Sequence, residues 1–270
     1  MIQIKDLHFG YPRQQALFDS LSVNLQPGSI TGLLGKNGAG KTSLLKLLTG
    51  LLHPQSGEIT VLDHNPRKRD VALLNDIFLV PEEFYFPAIS MNDYRKAYSP
   101  FYPNFDNGQL DRILSDFELS AQSNLQRLSH GQKKKFLIAF ALATRCRLLV
   151  LDEPTNGLDI PSKSLFRKIL AGSLDENQLV IISTHQVKDV ENLIDKIIML
   201  DNGKVIFHQT IAEISQKVCF ISGTSADIEG AIYSEAVPGG YRLMMPNGHA
   251  ETEVDIELLF NAITKGKKIG

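Results

Sequence analysis

Eight residues constrain this chain more than any others: Gly35-Lys36-Asn37-Gly38-Ala39-Gly40-Lys41-Thr42. They fit the pattern G-x-x-x-x-G-K-[ST], a loop built to hold phosphate. Glycines let the backbone wrap closely round an anion, with successive N–H groups turned inward. Lys41 can reach the β- and γ-phosphates of a nucleotide, and the Thr42 hydroxyl can ligand Mg²⁺. The flanks agree. Ile30-Thr31-Gly32-Leu33-Leu34 reads as a short buried strand, and Thr42 to Leu52 as a Leu-rich helix whose N-terminal dipole favours phosphate. The chain is therefore expected to alternate strand and helix around a buried sheet.

With 270 residues, 43% hydrophobic and 21% charged, the chain can bury one large core or two modest ones. A net charge of −2 gives no bulk attraction to nucleic acid. Two cysteines, Cys146 and Cys219, make neither a disulfide framework nor a metal site, and point to a reducing, cytosolic compartment. No apolar run approaches the roughly 20 residues of a membrane-spanning helix. The start, Met1 to Lys5, reads as a strand rather than a signal peptide.

Residues 1–34 read as β, with Ile2 and Ile4, then Leu21, Val23 and Leu25, alternating with polar neighbours. Tyr11 lies upstream of the phosphate loop; its ring could stack on a purine or simply pack on the core. Pro54 to Gly57 ends the post-loop helix, Glu58–Leu62 returns as a strand, and Arg67 to Arg69 reads as solvated. Asp76 to Val80 is a buried strand ending at Pro81-Glu82-Glu83. Eight aromatics then crowd into 84–105, and Asp111 to Leu119 reads as an amphipathic helix, so 84–127 is a helical insertion. The spacing of Tyr94, Tyr98, Phe101 and Tyr102 suits either a core face or a partner-binding surface.

Leu128-Ser129-His130-Gly131-Gln132 opens an apolar helix over Phe136–Thr144. Ser129 is a natural N-cap, and N–H groups at such a helix start make an anion site. Lys133, Lys134 and Lys135 read by default as a solvated turn. Leu148 to Leu151 is an apolar strand ending in Asp152 and Glu153. Asp152 is suited to Mg²⁺, and Glu153 to orienting or deprotonating a water. Asn156 to Asp159 forms a loop, Ser162–Leu170 a helix and Leu179–Ser183 a strand, with His185 at its carboxyl edge, where open α/β sheets bind ligands. Asp201-Asn202-Gly203 reads as a hairpin turn. Beyond 210 the pattern suggests strands at Val218–Ile221 and Tyr241–Met245, turns at Pro238 to Gly240 and Pro246 to Gly248, and a helix at Asp255–Thr264, with no chemistry.

The order of these motifs over residues 1–210 resembles the nucleotide-binding subunit of ATP-binding-cassette (ABC) transporters. The signature Leu-Ser-x-Gly-Gln, Leu128 to Gln132, just ahead of an Asp-Glu strand is far more specific than a phosphate loop alone. The resemblance implies an α/β, P-loop NTPase fold with a mostly parallel core sheet, an antiparallel β subdomain, a helical insertion at about 84–144 and a small α+β extension at 211–270. It makes Tyr11 the adenine-stacking residue and sets Gly35 to Ser43 round the phosphates. Ser129, Gly131 and Gln132 would meet the γ-phosphate across a head-to-tail dimer, and Asp159 would link the two sites. Glu153 would be the general base, Lys41 a phosphate ligand and His185 the γ-phosphate sensor; Thr42, Asp152 and Glu82 would serve Mg²⁺.

Implied partners are a second copy or a related ATPase subunit, and a separate membrane permease, with the chain peripheral on the inner face of the cell membrane. Two positions depart from the family pattern. His130 stands where glycine is usual, and Glu82 where glutamine is usual, adding negative charge beside the metal. The Thr155 to Asp159 stretch, Pro81 to Glu83 and the ending Leu258 to Gly266 look like bacterial export-type members. The competing reading, a soluble ATPase acting on nucleic acid or ribosomes, calls for two cassettes or a long coiled-coil insertion, and this chain carries neither. A degenerate, non-hydrolysing module is disfavoured by the intact Lys41, Asp152, Glu153 and His185.

Overall fold

A computed structural model describes residues 1–247 and 252–269. Gly248, and with it the end of the second turn expected beyond 210, lies outside the described residues. In chain order, β1 (Ile2–Phe9) and β2 (Phe18–Leu25) pair antiparallel, and β3 (Ser29–Gly35) leads into the phosphate loop and α1 (Lys41–Leu48). β4 (Ser56–Val61) returns to pair with β1, closing a three-stranded antiparallel sheet in the order β2-β1-β4. A single helical turn, α2 (Val71–Leu74), precedes β5 (Ile77–Val80). The insertion holds α3 (Met91–Tyr98) and α4 (Asn107–Asp116), and α5 (His130–Ala143) follows. Then come β6 (Leu148–Asp152), α6 (Ile160–Ser173), β7 (Leu179–Thr184), β8 (Lys196–Asp201) and β9 (Lys204–Thr210).

The large sheet runs β5-β6-β7-β3-β8-β9. Its first five strands are parallel, and β9 turns back antiparallel through Asn202 and Gly203, both at positive φ as a type I′ turn needs. β6 and β7 are buried at every position, which is why they read as continuous apolar runs rather than alternating ones. One face packs against α1 and the antiparallel sheet; the other packs against α4, α5 and α6.

The tail contributes α7 (Ile211–Lys217), a sheet of β10 (Val218–Gly223), β11 (Tyr233–Val237) and β12 (Gly240–Pro246) in the order β10-β12-β11, and α8 (Ile256–Thr264). Most of its buried apolar residues, those of α8 included, belong to the same cluster as α5 and β7.

The aromatic segment divides. Tyr94 packs edge-on against Phe86, Phe136 and Phe140, and Tyr102 and Phe105 also rest on Phe140. Burial pushes the Tyr94 and Tyr102 hydroxyls well up, the second to about 12. Tyr85 and Phe101 point outward, 96% and 63% exposed. The stripe is thus a core face with an exposed margin.

Candidate functional site

Parallel strands bring the sequence-distant motifs to one edge. Leu34 lies in register with Thr184, and Asp152 with Ser183, so the phosphate loop, Asp152-Glu153 and His185 all emerge at the carboxyl ends of adjacent strands. Gly40 has φ of 103°, and a Cβ there would strike the Phe18 ring at 2.8 Å, so only glycine can close the loop onto α1.

A cavity of about 670 Å³ opens over the loop. It is lined by Lys36 to Gly38, Gly40 to Ser43, Tyr11, Glu82 and Glu153, by Asn202 and Gly203 of the hairpin turn, and by Gln14 and Gln15, which carried no sequence signal. Its volume suits a cofactor-sized ligand. The Tyr11 hydroxyl is 3.0 Å from Ser43 Oγ and its ring sits edge-on to Phe9, leaving it both partly packed and on the cavity wall.

Lys41 is buried and its Nζ donates to Gly35 O at 2.7 Å. Burial lowers its pKa, while the carboxylates of Glu153, Asp152 and Glu82 pull the other way. Thr42 Oγ1 donates to Asp152 Oδ2 at 2.8 Å, and the Ser183 hydroxyl donates to Asp152 Oδ1. Glu153 sits in the left-handed region, φ 46°, an uncommon conformation for a residue with a side chain. Its N–H is held by Ser183 O at 3.1 Å, and its Oε1 accepts from His185 Nδ1 at 2.8 Å and lies 3.9 Å from Lys41 Nζ. The other oxygen, Oε2, is buried with no hydrogen-bond partner among the described residues. A buried carboxylate oxygen without a donor is a place for a water or a ligand proton.

No three His, Cys, Asp or Glu side chains converge as a metal cage among the described residues. The donor set of Thr42, Asp152 and Glu82 fits Mg²⁺ nonetheless, since that ion is usually held by one or two carboxylates together with waters and substrate phosphates.

The second group of motifs assembles elsewhere. Ser129 caps α5 through a reciprocal box, its Oγ accepting from Gln132 N–H and Gln132 Oε1 accepting from Ser129 N–H. Gly131 presses on the turn after β6, where a Cβ would lie 2.9 Å from Gly157 O. His130 stacks on Phe84 with ring centres 5.4 Å apart, so the departure from glycine has an aromatic partner three residues beyond Pro81. Asp159 caps α6 by accepting from Ser162 N–H, and those hydrogen bonds hold its carboxyl below the usual range. Ser129, His130, Gln132, Gly157 and Asp159 are solvent-exposed, and none lines the cavity over the phosphate loop.

Lys134 overturns the expectation of a solvated lysine turn. It is wholly inaccessible, its Nζ donating to Pro81 O at 3.2 Å and Glu82 O at 3.3 Å. Only its place on the inward face of α5, one turn after Gly131, distinguishes it from Lys133 and Lys135.

Residues 18–156 match the family model described as ABC transporter. The chain is 31% identical over 212 residues to the SkfA peptide export ATP-binding protein SkfE of Bacillus subtilis (strain 168), covering 76% of this chain and 87% of that protein. It is 32% identical over 234 residues to the energy-coupling factor transporter ATP-binding protein EcfA2 of Ligilactobacillus salivarius (strain UCC118), covering 79% of this chain and 80% of the relative. A solved structure of an ATP-binding subunit of an ABC transporter superposes with a TM-score of 0.72 at 24% identity, over 79% of this chain and 91% of that one.

Proposed function

Because this chain belongs to the ABC transporter family of ATP-binding subunits, we propose that it hydrolyses ATP to drive export through a separate membrane subunit, with each ATP held between the phosphate loop of one copy and the signature of another. The observation that carries the shared site is its one-sidedness. The cavity gathers loop, carboxylates and tyrosine, while exposed Ser129 and half-buried Gly131 lie outside its lining. An exposed, capped start of a 14-residue helix suits the γ-phosphate of a nucleotide on a neighbouring copy. A closely related ATPase subunit could take the second place. Among the described residues no helix is long and apolar enough to cross a membrane. In this reading a separate subunit supplies the membrane passage, and this chain sits on the inner face. The export reading is supported by the relative named for peptide export and by the stretches around Pro81 and Thr155.

In this reading Tyr11 stacks on the adenine, and the N–H groups from Gly38 to Ser43 with the Lys41 ammonium hold the β- and γ-phosphates. Thr42, Asp152 and Glu82 would hold Mg²⁺, which would supply charge neutralisation at the phosphates. Glu153 takes a proton from the attacking water through its unpartnered oxygen. His185 fixes the other oxygen and stands ready to meet the γ-phosphate. Asp159 ties one site to the other.

The decisive variant is Glu153→Gln. It should lower hydrolysis by about 10²–10⁴, keep ATP bound and run as a dimer on size exclusion with ATP and Mg²⁺. Parental turnover in that variant would remove Glu153 from the role. A polytopic membrane protein copurifying from the native host is expected; a ribosome in its place would reassign the class.

A further inference from the structure

Lys134 is a charged side chain where an apolar one would pack at less cost in desolvation. All three ammonium hydrogens have carbonyl acceptors: Pro81 O at 3.2 Å, Glu82 O at 3.3 Å and Glu153 O at 3.5 Å. The ammonium also lies 5.2 Å from the centre of the Phe84 ring, the ring on which His130 stacks. One atom of the signature helix therefore holds both the turn after β5 and the turn after β6.

Those turns are fastened to each other and to the helix in two further ways. Asn156 Nδ2 donates to Glu82 Oε1 at 3.1 Å, and Gly131 abuts Gly157 O. Glu153 is the residue most in need of such support. Its left-handed backbone is held at its N–H by Ser183 and at its carbonyl by Lys134. Burial lowers the pKa of this ammonium, and the carboxylates of Glu82, Asp152 and Glu153 pull the other way.

We infer that Lys134 is a positioning residue for ATP hydrolysis, fixing the Glu153 backbone and the Glu82 turn to the start of the signature helix. This rests on the reading of Glu153 as general base. Lys134 touches neither the cavity nor a reacting atom, so its loss acts on geometry rather than on nucleotide binding. A displacement of about 1 Å in a catalytic group is enough to cost about 10²-fold in rate.

The test grades the number of donors in the full chain. Lys134→Gln keeps two amide hydrogens and Lys134→Met keeps none. Steady-state hydrolysis of ATP with Mg²⁺, binding of a fluorescent ATP analogue and a thermal melt are measured for each. The expected result is kcat down about 3-fold for glutamine and 10-fold or more for methionine, with KM and analogue binding within 2-fold of the parent. A methionine variant with parental kcat overturns the inference, as does one whose KM rises as much as its kcat falls. If the methionine variant does not fold, glutamine decides: a folded variant with the 3-fold loss at unchanged KM supports positioning, and full kcat or failure to fold makes Lys134 a purely structural residue. Glu153→Gln in the same assays separates the two readings. If it turns over normally the base assignment fails and carries this inference with it; if it is inactive while Lys134→Met is not, this inference fails alone.

Discussion

Gly131 shows how a single hydrogen can decide where two motifs meet. An added Cβ would sit 2.9 Å from Gly157 O, a distance that forces the backbone to give. Replacing glycine by alanine in a helix normally gains up to about 1 kcal/mol, and less in the first turn. Overpacking against rigid backbone costs about 1–3 kcal/mol, so the clash wins. Gly131→Ala is expected to lower the melting temperature by a few degrees and to slow hydrolysis, because the signature must move off the turn that follows Glu153. An unchanged melt and rate would mean that the turn yields freely. The same scale explains the two departures from the family pattern. His130 is accommodated by Phe84, and the extra negative charge of Glu82 lies close to the buried ammonium of Lys134.

At the level of elements, the aromatic insertion separates two energetic roles that the residue spacing leaves joined. Tyr94 stacks on Tyr98 at 4.2 Å and packs edge-on against Phe86, Phe136 and Phe140, which seats it, half-buried, against the core under α5. Tyr94→Ala is expected to cost about 3–4 kcal/mol of stability. Tyr85 is 96% exposed, and Tyr85→Ala should leave the melt within about 0.5 kcal/mol of the parent. If the exposed margin of Tyr85 and Phe101 grips the membrane partner, Tyr85→Ala weakens capture of that partner while basal hydrolysis stays normal. Early melting of Tyr85→Ala, or normal melting of Tyr94→Ala, would invert the assignment. Interfaces draw on the same aromatic residues as cores, so only the packing on Phe136 and Phe140 tells them apart.

Across the whole molecule, the tail shares its buried apolar surface with the nucleotide-binding part. Ile256, Leu258, Leu259, Ala262 and Ile263 of α8 are buried in the cluster that contains α5 and β7. Lys188, three residues past His185, pairs with Glu257 at 3.0 Å, and Phe260 lines a recess with Val187 and His185. A chain cut after Thr210 would expose this surface, so it is expected to fold poorly. The sharper test is Leu259→Ala, at 0% exposure. It should lower stability by about 2–5 kcal/mol and shift one cooperative transition of the entire chain. Two separate transitions, with only the weaker one moved, would make residues 211–270 an independent unit.

What the sequence determined by itself was local chemistry: the anion-binding loop, the carboxylates ending an apolar strand, the capped helix start and the Asn-Gly hairpin. Each depends on residues within a few positions of one another, where spacing and backbone conformation dictate the outcome. Only the tertiary structure decided which face each residue shows. Lys133, Lys134 and Lys135 are chemically identical neighbours, yet helix rotation buries the middle one against the Glu82 and Glu153 turns. Tyr85, in the loop after β5, is exposed, while Tyr94, on α3, packs on Phe136 and Phe140; residue type does not tell them apart. The support of Glu153 by Ser183 and Lys134, and the seating of the tail against the segment after His185, join positions tens of residues apart. Such contacts are set by strand order and helix packing, which no local pattern encodes.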